Sequence, residues 1–282
     1  MSVTITAPGL YDMTNAQYHA DPVPDGSLSS SGAKKIIAKT PLHFKWDMDH
    51  QEHKDAFDYG TAAHSLVLEG DESGLVVVDA PDWRTKAAQE AKTRAHAEGK
   101  TPMLTKDFDQ VQAMAEQIRL HPEAAFLLKD GEAEKSAFWQ HDTGVWLRAR
   151  FDWLPNKRGR GLIIPDYKTA VSADPGKFSR SAADFGYHQQ AAFYCDAAKA
   201  LKLSPDPVML FVVQEKTAPY AVNVIELHED DVMMGRALNE KAIRLYQQCK
   251  LTNHWPGYVM GEPVRLPKYA QYDADAKLGA TS

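Results

Sequence analysis

Apolar positions in this chain follow a helical spacing at first, alternate in the middle, and return to a helical spacing afterwards. In "SLSSSGAKKIIAKTPLHFKW", Ile36 and Ile37 anchor a helix that Ser29, Ser30 or Ser31 can cap and that Pro41 stops. Residues 55–69, "DAFDYGTAAHSLVLE", place Phe57, Ala62, Ala63, Leu66 and Val67 at helical spacing with little polar break, which predicts a buried helix. "GLVVVDAP" is a short strand. Residues 84–121 predict two helices joined around "EGKTPMLT", the first a charged, solvated face or arm.

The middle of the chain is β-rich. "EKSAFWQHD" and "VWLRARFDWLP" alternate across a Thr143-Gly144 turn, which predicts a hairpin, and "LIIPDYKTA" completes a meander of three strands. A helix over 182–201 follows, then the apolar strand "VMLFVVQEK", the strand "YAVNVIELH" and a closing helix over 229–250. Residues 1–27 read as mostly irregular. This order predicts an α/β fold, a mixed central β-sheet flanked by helices. No repeat or long linker interrupts it. The expectation is one domain over 1–282, with 1–55 as an arm and helix packing on the core and 263–282 as a flexible tail.

Composition changes this picture little. Apolar content of 44% and charged content of 25% are ordinary for a globular protein. No apolar run reaches the length of a membrane span, and the amino-terminal residues lack the pattern of a secretory signal. Two cysteines, Cys195 and Cys249, are too few for a disulfide framework or a cysteine-bound cluster. A reduced, cytoplasmic protein is expected. The net charge of −6 argues against a protein that coats nucleic acid, but an enzyme can confine its basic residues to one groove.

Candidate chemistry centres on "GLIIPDYKTA". Strand side chains alternate, so Asp166 and Lys168 share one face and Tyr167 takes the other. Asp152 lies fourteen residues earlier, and adjacent strands can bring the two acids together. Close carboxylates repel unless a cation lies between them. Magnesium suits such a pair, taking carboxylate oxygens with water and phosphate oxygen. The Tyr167 carbonyl is a further candidate oxygen, and Lys168 can orient or deprotonate water or stabilise charge on a phosphorus centre. Glu134 on the preceding strand and His64 in an apolar helix join the candidates. On the helix after the strand, Gln190 and Tyr194 share a face, with Gln189 beside them.

Taken together, "GTAAH", "AEKSAFW", "RARFDW", "PDYKT" and "YHQQAAFY" resemble the ordered motifs of the PD-(D/E)XK nuclease superfamily, and within it the RecE-like exodeoxyribonuclease VIII group of phages and prophages. The stretch "YHADPVPDGSLSSSGAKKIIAKTPLHFKW" resembles that group's amino-terminal segment, so the likeness runs from about residue 11 to about 260. It implies a restriction-endonuclease-like core and a Mg²⁺-dependent exonuclease, with Mn²⁺ the alternative. Such an enzyme degrades double-stranded DNA ends 5′-to-3′ and leaves 3′ overhangs for recombination, in the cytoplasm of a bacterial host.

The resemblance implies Asp152 and Asp166 as metal ligands, Lys168 as the catalytic lysine, His64 as a further ligand and Glu134 as the acid of its strand. It also implies Gln189 or Gln190, with Tyr194, as DNA-contacting residues. A RecT-type single-strand annealing partner and a homo-oligomer, a toroidal tetramer, follow from the same likeness. One departure is the longer link between the two acids, "PNKRGRGLII", whose basic residues reach phosphates or form a solvated tip. Ser31, Lys34 and Lys35, at a serine-capped helix start, are candidates to bind DNA at a 5′-phosphate. The rival readings are a structure-specific endonuclease using the same site and a noncatalytic DNA-binding or assembly module of the same fold.

Overall fold

The computed structural model describes residues 3–50, 60, 62–70, 72–258, 261 and 263–279. Phe57, and Thr61 of the "GTAAH" motif, lie outside the described residues.

The amino-terminal segment is more ordered than its composition suggests. Gly9–Tyr11 forms β1 and pairs antiparallel with Ser136–Phe138. Asn15–His19 forms α1, closed by a capping box between Thr14 and Gln17. Leu28–Ser29 (β2) pairs in parallel with Leu147–Arg148, and Ser29 then caps α2 (Ser30–Ala38) by accepting from the Gly32 N–H. Pro41 does end α2, but it also opens α3 (Pro41–Asp49) at a first-turn position where a missing N–H costs nothing. Residues 62–64 are helical and run into a π-helical turn, Ser65–Glu69.

Leu75–Val78 (β3) and Thr101–Leu104 (β4) pair in parallel around α4 (Lys86–Ala97). The sequence reading placed a plain link where β4 lies. The strand forms because Pro102 suits extended backbone and Met103 and Leu104 are buried. Thr105–Leu120 (α5) buries Val111, Met114, Ala115 and Ile118, and Pro122–Leu127 (α6) follows. Then come the hairpin strands β5 (Gly131–Gln140) and β6 (Trp146–Pro155), β7 (Ile163–Ala170), α7 (Pro175–Asp184) and α8 (Tyr187–Ala200). Strands β8 (Val208–Glu215) and β9 (Val222–Glu226), α9 (Glu229–Thr252) and α10 (Lys268–Leu278) complete the chain. No residue of α10 is buried.

The expected single central sheet is two adjoining mixed sheets. One has the order β1-β5-β6-β2 and the other β7-β8-β9. The predicted three-strand meander breaks between β6 and β7, and β7 pairs in parallel with β8 instead. The cause is local. Pro165 and Tyr167 turn their amide positions to the same edge of β7. Pro165 has no N–H, and the Tyr167 N–H is taken by the Asp152 carboxylate at 2.9 Å.

The β7–β8 pair divides the core. Ile164 and Phe211 pack with Phe151, Phe193 and Tyr246 on one side. Tyr167 and Val212 pack with Ala62, Leu66 and Val111 on the other. Between those layers β7 carries Asp166 and Lys168 toward α8.

Candidate active site

Four strands and helices converge on one acidic cluster. His64 is the last helical residue before the π-helical turn, a distortion that often marks functional positions. Its Nδ1 lies 3.7 Å from Glu134 Oε1 and 3.8 Å from Asp152 Oδ2. One ligand atom from each of His64, Glu134 and Asp152 lies within 4.8 Å of the others. Glu134 and Asp152 are both missing from the β5–β6 register, where Ala133 pairs with Trp153 and Lys135 with Phe151. At that break Glu134 has φ of 54°, a left-handed conformation that costs a non-glycine residue about 1–3 kcal/mol. The hairpin is thus interrupted where its two carboxylates meet.

Asp166 lies beside this trio, 1% exposed. Its Oδ1 accepts from Gln190 Nε2 at 2.7 Å. Its Oδ2 lies against the Lys168 ammonium as an ion pair, yet has no aligned hydrogen bond. Lys168 Nζ also stands 5.5 Å from the centre of the Tyr187 ring, and Lys34 Nζ reaches the same ring at 5.8 Å.

The electrostatics follow from burial and proximity. Burial, and then the Asp166 charge, push Asp152 up to about 7. Burial alone would lower His64, but the Asp152 and Glu134 carboxylates outweigh it and raise it. Burial would raise Glu134, but hydrogen bonds from His64 and Arg150 hold it below the usual range. Burial opposes the charge on Lys168, and Asp166 with Asp152 reverse this and raise it, so the ammonium is favoured. Lys34 is pushed down to about 8 by burial and then by Lys168.

The donor set fits a divalent cation. Two carboxylates and an imidazole converge, burial and then the Asp166 charge raise Asp152, and a buried oxygen of Asp166 lacks an aligned donor. Oxygen donors suit Mg²⁺, and the imidazole widens the choice toward Mn²⁺.

The other candidates separate in space. Gln190 faces the site, whereas Gln189 is buried against α9, donating to Asn239 Oδ1 at 3.2 Å and accepting at its carbonyl from Asn239 Nδ2 at 2.8 Å. Tyr194 is 9% exposed and packs edge-on against Phe151 at 5.5 Å. Gln189 and Tyr194, 4% and 9% exposed, offer little surface for the DNA contact expected of them. Ser31 is exposed and its hydroxyl pairs with that of Ser29 at 3.0 Å. Lys35 pairs with Asp47 on α3, which leaves Lys34 as the α2 lysine directed at Lys168. On the long link, Arg158 leans on Glu132 at 4.0 Å. The Tyr167 ring turns away from Asp166, donates to Gln214 Oε1 at 2.6 Å, and supports His64 edge-on at 5.5 Å.

Sequence reasoning missed two contributors. Arg150 Nε donates to Glu134 Oε2, and its NH1 donates to Ser136 Oγ at 2.8 Å and the Met13 carbonyl at 3.0 Å. It fixes one oxygen of Glu134 and leaves the other toward His64. Strand alternation already placed Arg150 on the face of Asp152. Tyr187 was the second, three residues before Gln190 and so on the same side of α8.

Residues 29–262 match the family described as a PDDEXK-like domain of unknown function (DUF3799). No curated protein matches the chain. The crystal structure of a protein from Eubacterium rectale, provisionally named an exonuclease, superposes with a TM-score of 0.60 at 12% identity, covering 90% of this chain and 97% of that one. A second solved structure, of a protein called SSO0001, covers 69% of this chain and 87% of its own at 16% identity, but its TM-score of 0.28 supports no argument. Strand order, acidic cluster and family match agree: this chain belongs to the PDDEXK-like DUF3799 family, within the PD-(D/E)XK nuclease superfamily.

Proposed function

We propose that this protein is a metal-dependent exonuclease acting on double-stranded DNA ends. The observation that carries the reading is the convergence of His64, Glu134 and Asp152 beside the Asp166–Lys168 ion pair. His64, Glu134, Asp152 and Asp166 would hold the divalent ion. When bound, the ion supplies an activated water and a positive charge toward a phosphate oxygen. Lys168 is favoured as an ammonium, so it serves as a fixed cation for charge developing on the phosphoryl group and not as a resting base. Gln190 holds Asp166 in place, and Arg150 holds Glu134.

The RecE-like motifs support the finer reading: 5′-to-3′ polarity, 3′ single-stranded overhangs for recombination, a RecT-type annealing partner and a toroidal homo-oligomer. A ring with a basic channel would reconcile DNA binding with a net charge of −6. Lys34, near Lys168 and Tyr187, and Ser31 at the α2 start would meet a terminal phosphate. The single-domain reading belongs here too, with 1–55 as an arm on a nuclease core.

The test uses linear duplex DNA labelled at one 5′ end or at one 3′ end, and covalently closed circles, all with Mg²⁺. Early release of the 5′ label, late release of the 3′ label and intact circles are expected. Early loss of the 3′ label would reverse the polarity. Nicked circles with no end dependence would replace the exonuclease by an endonuclease.

A further inference from the structure

An exposed aromatic ring stands at the rim of the candidate active site on a turn the chemistry above leaves unused. Phe185 closes α7 and is 62% exposed. Single exposed aromatics are ordinary on protein surfaces. This one is the outer end of a column. Its ring lies 5.9 Å from that of Tyr187, with 32° between the planes. Tyr187 stacks in turn on Phe211 at 5.5 Å and on Phe178 at 5.6 Å. Those two rings are 0% and 2% exposed, so the column is rooted in the core.

The turn that presents the ring is constrained as well. Gly186, between Phe185 and Tyr187, has φ of +64°, and a Cβ there would lie 2.9 Å from Lys34 Cδ. Only glycine meets both conditions without displacing Lys34.

Charge supplies the second observation. The middle ring of the column, Tyr187, carries the Lys168 and Lys34 ammonium groups at 5.5 and 5.8 Å. A flat apolar surface outside two cations matches the two halves of a nucleotide, a base with a π-face and a phosphate. We infer that Phe185 is a stacking platform for an unpaired nucleobase at the end of a bound DNA duplex. The inference rests on the nuclease reading and adds to it how the substrate end is gripped. Every base has a π-face, so the platform is indifferent to sequence, and it favours an end whose terminal base has left the duplex stack.

The test uses duplexes with a single unpaired 2-aminopurine at the 5′ or the 3′ end and a distant dye for anisotropy. They are titrated with the full chain in EDTA, so that DNA survives and both cations stay in place. Stacking quenches 2-aminopurine on binding in at least one of the two probes. Adding Phe185→Ala removes the quench and weakens end binding on the order of tenfold, and Phe185→Tyr keeps both. Phe185 is mostly exposed, so thermal melting of the Ala variant should match its parent. A quench that survives Phe185→Ala, or no quench with Phe185 present, overturns the platform while DNA binding by anisotropy leaves the nuclease reading standing. No anisotropy change with any probe overturns both.

Discussion

Asp166 shows what holds a buried carboxylate in one orientation: an amide on one oxygen, from Gln190, and an ammonium on the other, from Lys168. Hydrogen bonds to charged groups contribute about 1.5–3 kcal/mol. Gln190→Ala should therefore lower kcat/KM by about tenfold to a hundredfold. Gln189→Ala removes a buried bond to Asn239 and should cost about 1 kcal/mol of stability while activity per folded molecule stays unchanged. Kinetics with parallel denaturant melts separate the two, and a reversed pattern would show the wrong glutamine assigned to Asp166. The sequence left this choice open for a physical reason. Neighbouring residues on a helix point about 100° apart, and α8 is buried against the sheet on one side and α9 on the other. Both glutamines therefore have polar partners, and only packing decides which partner is Asp166.

The contact of α9 with α8 is set by one glycine. A Cβ at Gly235 would lie 2.2 Å from the His188 carbonyl oxygen and 2.7 Å from the Gln189 nitrogen, both backbone atoms that cannot swing aside. Gly235→Ala should cost about 1–3 kcal/mol by overpacking, lowering Tm by about 2–4 °C per kcal/mol. It should also reduce activity through the Gln190 helix. Unchanged Tm and activity would show the close approach to be unimportant. Most elements were legible from apolar spacing, including the β5–β6 hairpin and the paired faces of Asp166 and Tyr167. The break between β6 and β7 was not, because it depends on an acid replacing a strand carbonyl as acceptor for one amide. Nor was the left-handed Glu134, since nothing in its residue type signals a positive φ. Arg150 was within reach, two residues before Asp152 on an alternating strand.

At the scale of the whole molecule, net negative charge and a nuclease site meet at Asp152, a buried acid that resists ionising until a cation arrives. Asp152, raised to about 7, and His64, also raised, hold protons more firmly in the folded than the unfolded chain. Their contribution to metal-free stability is therefore greatest at low pH. It falls from about pH 4 to 7 for Asp152 and, for His64, as pH climbs past its ordinary value near 6.5. A divalent ion competes with those protons, so Mg²⁺ should raise Tm more at pH 8 than at pH 6. Asp152→Asn should abolish the difference, and an equal gain at both pH values would place the ion elsewhere. The central claim, that this acidic cluster with Lys168 hydrolyses DNA using a metal, is tested most directly by nucleotide release from linear duplex DNA. The wild-type chain is compared with Lys168→Ala, each with Mg²⁺, with Mn²⁺ or with EDTA. The account predicts release by the wild type with either ion, none in EDTA, and a drop of about a hundredfold or more for Lys168→Ala with folding intact. Release that persists in EDTA, or that is indifferent to Lys168→Ala, would contradict it.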